Sequence, residues 1–161
     1  MSYRNASHTV GNITTRADTS FAKQAISTTL LVLDDTEVTY TPATGARAVI
    51  YECDCAIAWS PDASGSYMCA RLEYSTDGGS TWNTYAGSQI FAGNNSSSSD
   101  YNWHAYNFAF QVPAWTGARD LRMTARAHTS STEFTWGRLY LIPAGEGAGS
   151  APIITVMSLM V

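Results

Sequence analysis

At 161 residues, the chain has room for one domain with a real core and little for a second. Hydrophobic residues make up 45% and charged ones only 14%, so a packed core is expected beneath a polar, weakly charged surface or one covered in an assembly. A net charge of −4 with no basic stripe argues against nucleic-acid binding, because neutralising phosphates needs clustered Lys and Arg.

Residues 1–25 are rich in Ser, Thr and Asn and show no sustained apolar period. They lack the basic-then-apolar pattern of a secretory leader, and no apolar run in the chain approaches membrane-spanning length. The expectation is a soluble protein made in a cytoplasm, with no membrane partner. The segment itself reads as an extended arm that orders on a partner, with Tyr3, Val10, Ile13 and Phe21 as its anchors.

From residue 26 to residue 161 the pattern is strand after strand, separated by turn chemistry. "ISTTLLVL" and "TEVTYT" precede a Pro-Gly turn at 42–45. "ARAVIYECDCAIAW" then alternates, with Val49, Tyr51, Cys53, Cys55, Ile57 and Trp59 on one face and Glu52 and Asp54 on the other. "SPDASG" is read as closing a hairpin into "SYMCARLEYS", which would set Asp54 opposite Arg71 and aim Cys69 away from Cys53 and Cys55. Three cysteines make no disulfide framework and no paired zinc spacing, so free thiols are expected.

Glu52 and Asp54 form an E-x-D pair similar to part of the jelly-roll glycosidase motif, which carries a third carboxylate. Ala56 and Ile57 stand where that third carboxylate would be, so the motif is broken. The next turn, in "YSTDGGSTWNTY", fits S-x-D-x-G-x-T-W and resembles the Asp-box of sialidases and related propellers. No repeat of blade length accompanies it, so a propeller is excluded. Asp77-Gly78-Gly79 is read as a tight hairpin, with Asp77 accepting backbone N–H bonds and Trp82 covering the turn.

"TWNTYAGSQIF", "YNWHAYNFAFQV", "ARDLRMTARAH", "EFTWGRLYLI" and "PIITVMSLMV" complete about nine strands. The fold class is all-β, a sandwich of about 8–10 antiparallel strands with an extended N-terminal arm. His8, His104 and His128 fall in separate segments without metal spacing, and there is no nucleophile signature or phosphate loop. No catalytic residue, metal or cofactor is therefore expected. Tyr85, Tyr101, Trp103 and Trp115 fall near turns, where aromatic rings serve a core, an interface or a sugar.

The final strand is apolar on both faces, so both faces need cover. One face is core and the other calls for a second subunit, which nominates Ile154, Val156, Met157 and Met160 as the oligomer interface.

The stretches "TEVTYTPATGARAVIYECDCAIAW", "ARLEYSTDGGSTWNTY" and "ARDLRMTARAH", with the apolar last strand, together resemble small structural proteins of tailed bacteriophages. These are jelly-roll domains similar to the tumour-necrosis-factor and C1q heads. The resemblance implies a homotrimer with its last strand near the threefold axis. It also implies a place in the virion, as a capsid decoration (cement) protein on the major capsid protein with residues 1–25 as the binding arm. The alternative it implies is a fibre or spike head that binds a host-surface glycan through Tyr85, Tyr101, Trp103 and Trp115.

Overall fold

Period-two alternation is realised as eleven strands and no helix among the described residues. The computed structural model describes residues 9–17, 24–59, 66–94, 102–128, 134–137 and 152–160. The strands are β1 Thr9–Ala17, β2 Gln24–Ile26, β3 Leu31–Val32, β4 Val38–Tyr40, β5 Ala48–Trp59, β6 Ser66–Ser75, β7 Asn83–Asn94, β8 Asn102–Pro113, β9 Arg119–Ala127, β10 Phe134–Gly137 and β11 Ile153–Met160.

They form two antiparallel sheets packed as a sandwich. In the first, β5 pairs along its whole length with β8 on one edge; its other edge is shared by β11 and β10, which carry β1 and β2 outside them. In the second, the order is β7, β6, β9, with both β3 and β4 on the far edge of β9. Taking β1 with β2, β3 with β4 and β10 with β11 gives eight strands, four to a sheet. The chain changes sheets at every step except the β6–β7 hairpin. That is jelly-roll connectivity: the strand pattern led to an all-β sandwich, and the resemblance implied its jelly-roll form.

The core lies between the sheets. Val49, Tyr51, Cys53, Ile57, Phe108 and Phe110 come from the first sheet, and Met68, Leu72, Leu121 and Met123 from the second; all are buried. Burying each such large side chain contributes about 1.5–3 kcal/mol. The buried Tyr51 hydroxyl donates to the Thr36 carbonyl at 2.6 Å, and the Thr36 hydroxyl donates to the Leu33 carbonyl while accepting the Met123 N–H. No polar group of this bridge between the sheets is left unsatisfied there, which is what burial demands.

Three expectations are corrected. "ISTTLLVL" is not one strand: residues 27–30 are exposed and extended structure resumes only at β3. The β5–β6 hairpin does not form. Both edges of β5 are taken by β8, β10 and β11, so β6 enters the opposite sheet. A turn signal shows where a chain turns but not which sheet it then joins. Finally, the boundary at residue 26 does not separate an arm from the sandwich, because β1 is an edge strand paired with β11 over Thr9–Met160 to Ala17–Ile153. An edge strand needs neighbours on only one side, and this explains its weak apolar period. Tyr3 and Phe21 lie outside the described residues.

Candidate functional site

Strand β11 carries the residues nominated as an interface, and it lies between β1 and β5, antiparallel to both. Ile154, Val156 and Ser158 point inward with no exposed surface, whereas Ile153, Thr155, Met157 and Leu159 form the half-buried outward face. The nominated set is corrected accordingly. Ile154 and Val156 are in the chain's own core and have no surface left for a partner. Met160 lies at the end of the sandwich against Gly11, where an added Cβ would sit 3.4 Å from the Met160 side chain and 3.0 Å from Ala43. Of the four, Met157 alone belongs to the outer face.

Around Met157 the outer face carries an apolar stripe bordered by polar residues. The antiparallel registers align Ile13, Met157, Ile50 and Gln111 in one cross-strand row. Leu159, Ala48 and Pro113 form the next row, and Thr155, Glu52 and Ala109 the row on the other side. Ile13 is 62% exposed. Its place in the row depends on a β-bulge between Gly11 and Ile13, at which Asn12 takes a φ of 33°. Were Asn12 paired in a regular ladder, Ile13 would fall opposite Val156 and point the other way. Asn is among the residues that tolerate this conformation best.

The bulge is tied into the core. The Tyr40 hydroxyl donates to the Asn12 carbonyl and accepts from the Ser158 hydroxyl at 2.7 Å, while Ser158 Oγ accepts the Ala43 N–H at 2.9 Å. Buried Ser158 thus fixes β1, β4 and the following turn to β11.

Of the aromatics nominated for a glycan, the structure does not bring Trp103 to Tyr85 and Trp115. Tyr85 and Trp115 come together, ring centroids 6.4 Å apart, within a cluster that includes Tyr40 and Tyr74. Arg119 stacks on Tyr74 at 4.8 Å and on Trp115 at 5.1 Å, and it donates to the Tyr85 hydroxyl at 3.1 Å. Burial pushes the Tyr85 phenol up, against the opposing influence of Arg119. The cluster packs the end of the sandwich against the core. Trp103 pairs with Ala58 near the opposite end of β8 from Pro113, ten residues and roughly 33 Å away at strand rise. Tyr101 lies outside the described residues.

The Asp-box forms the expected hairpin. Ser75 Oγ accepts the Gly79 N–H at 2.9 Å, Asp77 accepts the Thr81 N–H at 2.9 Å, and the Trp82 indole donates to the Gly79 carbonyl at 2.9 Å. Gly78 and Gly79 have φ of 70° and 85°, which the turn requires. Hydrogen bonds from Thr81 and Ser75 hold the Asp77 carboxyl down to about 2.

Glu52 and Asp54 lie on the outer face of the first sheet. Asp54 does not pair with Arg71, which is in the other sheet, but accepts a 2.7 Å hydrogen bond from Asn107 of β8. All three cysteines are free. Cys53 and Cys55 are buried, and burial raises the Cys53 thiol well above its ordinary value. Cys69 lies on the outer face of the second sheet among Tyr67, Phe91, Arg71 and Arg126, a group that strand-by-strand reading did not single out because it converges from three strands. No cluster of three His, Cys, Asp or Glu suited to a metal is present among the described residues.

No family model matches the chain, and no curated protein matches it. Among solved structures it is similar to dimeric latent PorU from Porphyromonas gingivalis, with 8% identity and a TM-score of 0.39 over 92% of this chain and 12% of that one. It is also similar to a structure of infectious bursal disease virus, Gx strain, with 12% identity and a TM-score of 0.34 over 93% of this chain and 36% of that one. The chain spans well under two thirds of either. Likeness at this level fixes neither family nor function.

Proposed function

We propose that the chain is a virion structural protein: a decoration (cement) protein that binds and stabilises the major-capsid lattice as a homotrimer, in a virion assembled in the host cytoplasm. The observation that carries this reading is the outer apolar row Ile13–Met157–Ile50 on a jelly-roll sandwich whose core is already complete without it. An apolar row on the outer face of a sheet, with no further sheet packed over it among the described residues, favours a second copy or another protein as cover. Jelly-roll connectivity agrees with the resemblance to phage structural proteins. Three copies clustered on a lattice bind together even where each contact is weak, since the later contacts are effectively intramolecular.

The test is co-sedimentation with undecorated shells. Removing residues 1–20 would strip β1 from the sheet, so the arm is tested by removing residues 1–8, which leaves β1 intact. Full-length protein is expected to sediment with shells and the truncated form to bind at least about a hundredfold more weakly. Undiminished binding after truncation would transfer the contact to the sandwich. Failure of the full-length trimer to bind any shell would refute the decoration reading.

A further inference from the structure

The outer face of the second sheet holds a depression of about 160 Å³ built by three adjacent strands. Register makes it. Arg126 of β9, Cys69 of β6 and Phe91 of β7 form one cross-strand row, and Arg71 and Gln89 lie in the row beside it. The short Cys69 side chain leaves a floor between a guanidinium on one side and a phenyl ring on the other. Tyr67 closes one end, with His128 stacked on it at 4.1 Å and 16° and Phe91 meeting it edge-on at 5.9 Å.

Two features define what fits. Arg71 and Arg126 are diagonal neighbours, and neither has a carboxylate partner among the described residues, whereas Arg122 on the same face is paired with Glu73 at 3.0 Å. No acidic side chain lines the depression, although the chain as a whole carries a net charge of −4. Second, Phe91 is 61% exposed and meets Tyr67 edge-on, so its ring offers an apolar surface to a ligand in the depression. The volume is below that of a drug-sized pocket and suits a single ring.

We propose that this depression binds a carboxylated sugar ring, of the sialic or uronic acid type. The carboxylate lies between the Arg71 and Arg126 guanidinium groups, and the C–H face of the ring lies on Phe91. Charge-assisted hydrogen bonds from Arg supply most of the affinity, and the ring contact separates a sugar acid from a bare anion. This site is remote from the β11 face and does not depend on the capsid reading.

The experiment titrates the full-length protein with N-acetylneuraminic acid and with glucuronic acid, using N-acetylglucosamine as the neutral sugar, inorganic phosphate as the bare anion and a short poly-glutamate peptide as the acidic chain. NMR shifts give the affinity. Alkylation of Cys69 gives a second reading, since the other two thiols are buried. One or both sugar acids are expected to bind at least about tenfold more tightly than the neutral sugar and to slow alkylation of Cys69. Arg71→Gln with Arg126→Gln should weaken that binding about tenfold or more, and Phe91→Ala roughly threefold, with the fold unchanged. Which acid binds better distinguishes the two sources. Equal binding of N-acetylglucosamine or phosphate, tighter binding of the peptide, no protection of Cys69, or indifference to the arginine changes would each overturn the proposal.

Discussion

Asp77 shows how much order a single side chain imposes on a turn. Its carboxylate accepts the Thr81 N–H and hydroxyl and is bonded by Ser75, and these bonds hold its titration at about 2 in the folded chain. A free aspartate titrates near about 3.9, so the folded form holds its proton less tightly than the unfolded one. The hairpin contribution is therefore fully present above about pH 4 and is lost as pH falls through about 2. Amide shifts of Gly79 and Thr81 followed by NMR should move with a midpoint near 2. Asp77→Asn should abolish that midpoint while leaving the sandwich folded. A midpoint at the ordinary aspartate value would show that the hydrogen bonds are not formed in solution.

At the scale of the element, β11 separates two kinds of apolar residue that look alike in sequence. Val156 is buried in the core, so Val156→Asp places a carboxylate where no partner exists and should destabilise the domain by several kcal/mol or prevent folding. Ser158 is the subtler case. Ser158→Ala removes little more than the hydroxyl and leaves the Ala43 N–H and the Tyr40 hydroxyl short of a partner, at a cost of about 1–3 kcal/mol. Urea unfolding checks both, and an unchanged midpoint for Ser158→Ala would deny the bridge any role in holding the β1 bulge. Tyr40→Phe should lose stability in the same direction, since it removes the donor to the Asn12 carbonyl.

For the whole molecule, the question is what covers the outer face of the first sheet. A homotrimer should sediment at three times the 17.4 kDa chain mass. Met157→Asp and Ile13→Asp place charge on outward positions and should give folded monomers, in contrast to the core change at Val156. Circular dichroism separates the two outcomes. A wild-type chain that stays monomeric at micromolar concentration would exclude the homotrimer. A trimer untouched by either outward change would place its interface on another surface.

What the sequence by itself determined is the local chemistry. Alternation in "AVIYECDCAIAW" set which β5 residues are core, and the Asp-box residues set a hairpin with its own hydrogen bonds, because both depend on near neighbours along the chain. The two-sided apolar character of β11 was also legible. Which of its faces was core was not, since an apolar alternation looks the same from either side until a second sheet is placed against it. The tertiary structure alone decided that β5 and β6 lie in opposite sheets, that β1 completes the first sheet, and that the Asn12 bulge turns Ile13 outward beside Met157. It also brought Arg71, Phe91 and Arg126 together from three strands. Each of these depends on pairing between distant segments, and a strand edge carries the same N–H and C=O groups whatever its sequence, so the choice of partner rests on how all the strands bury their faces together.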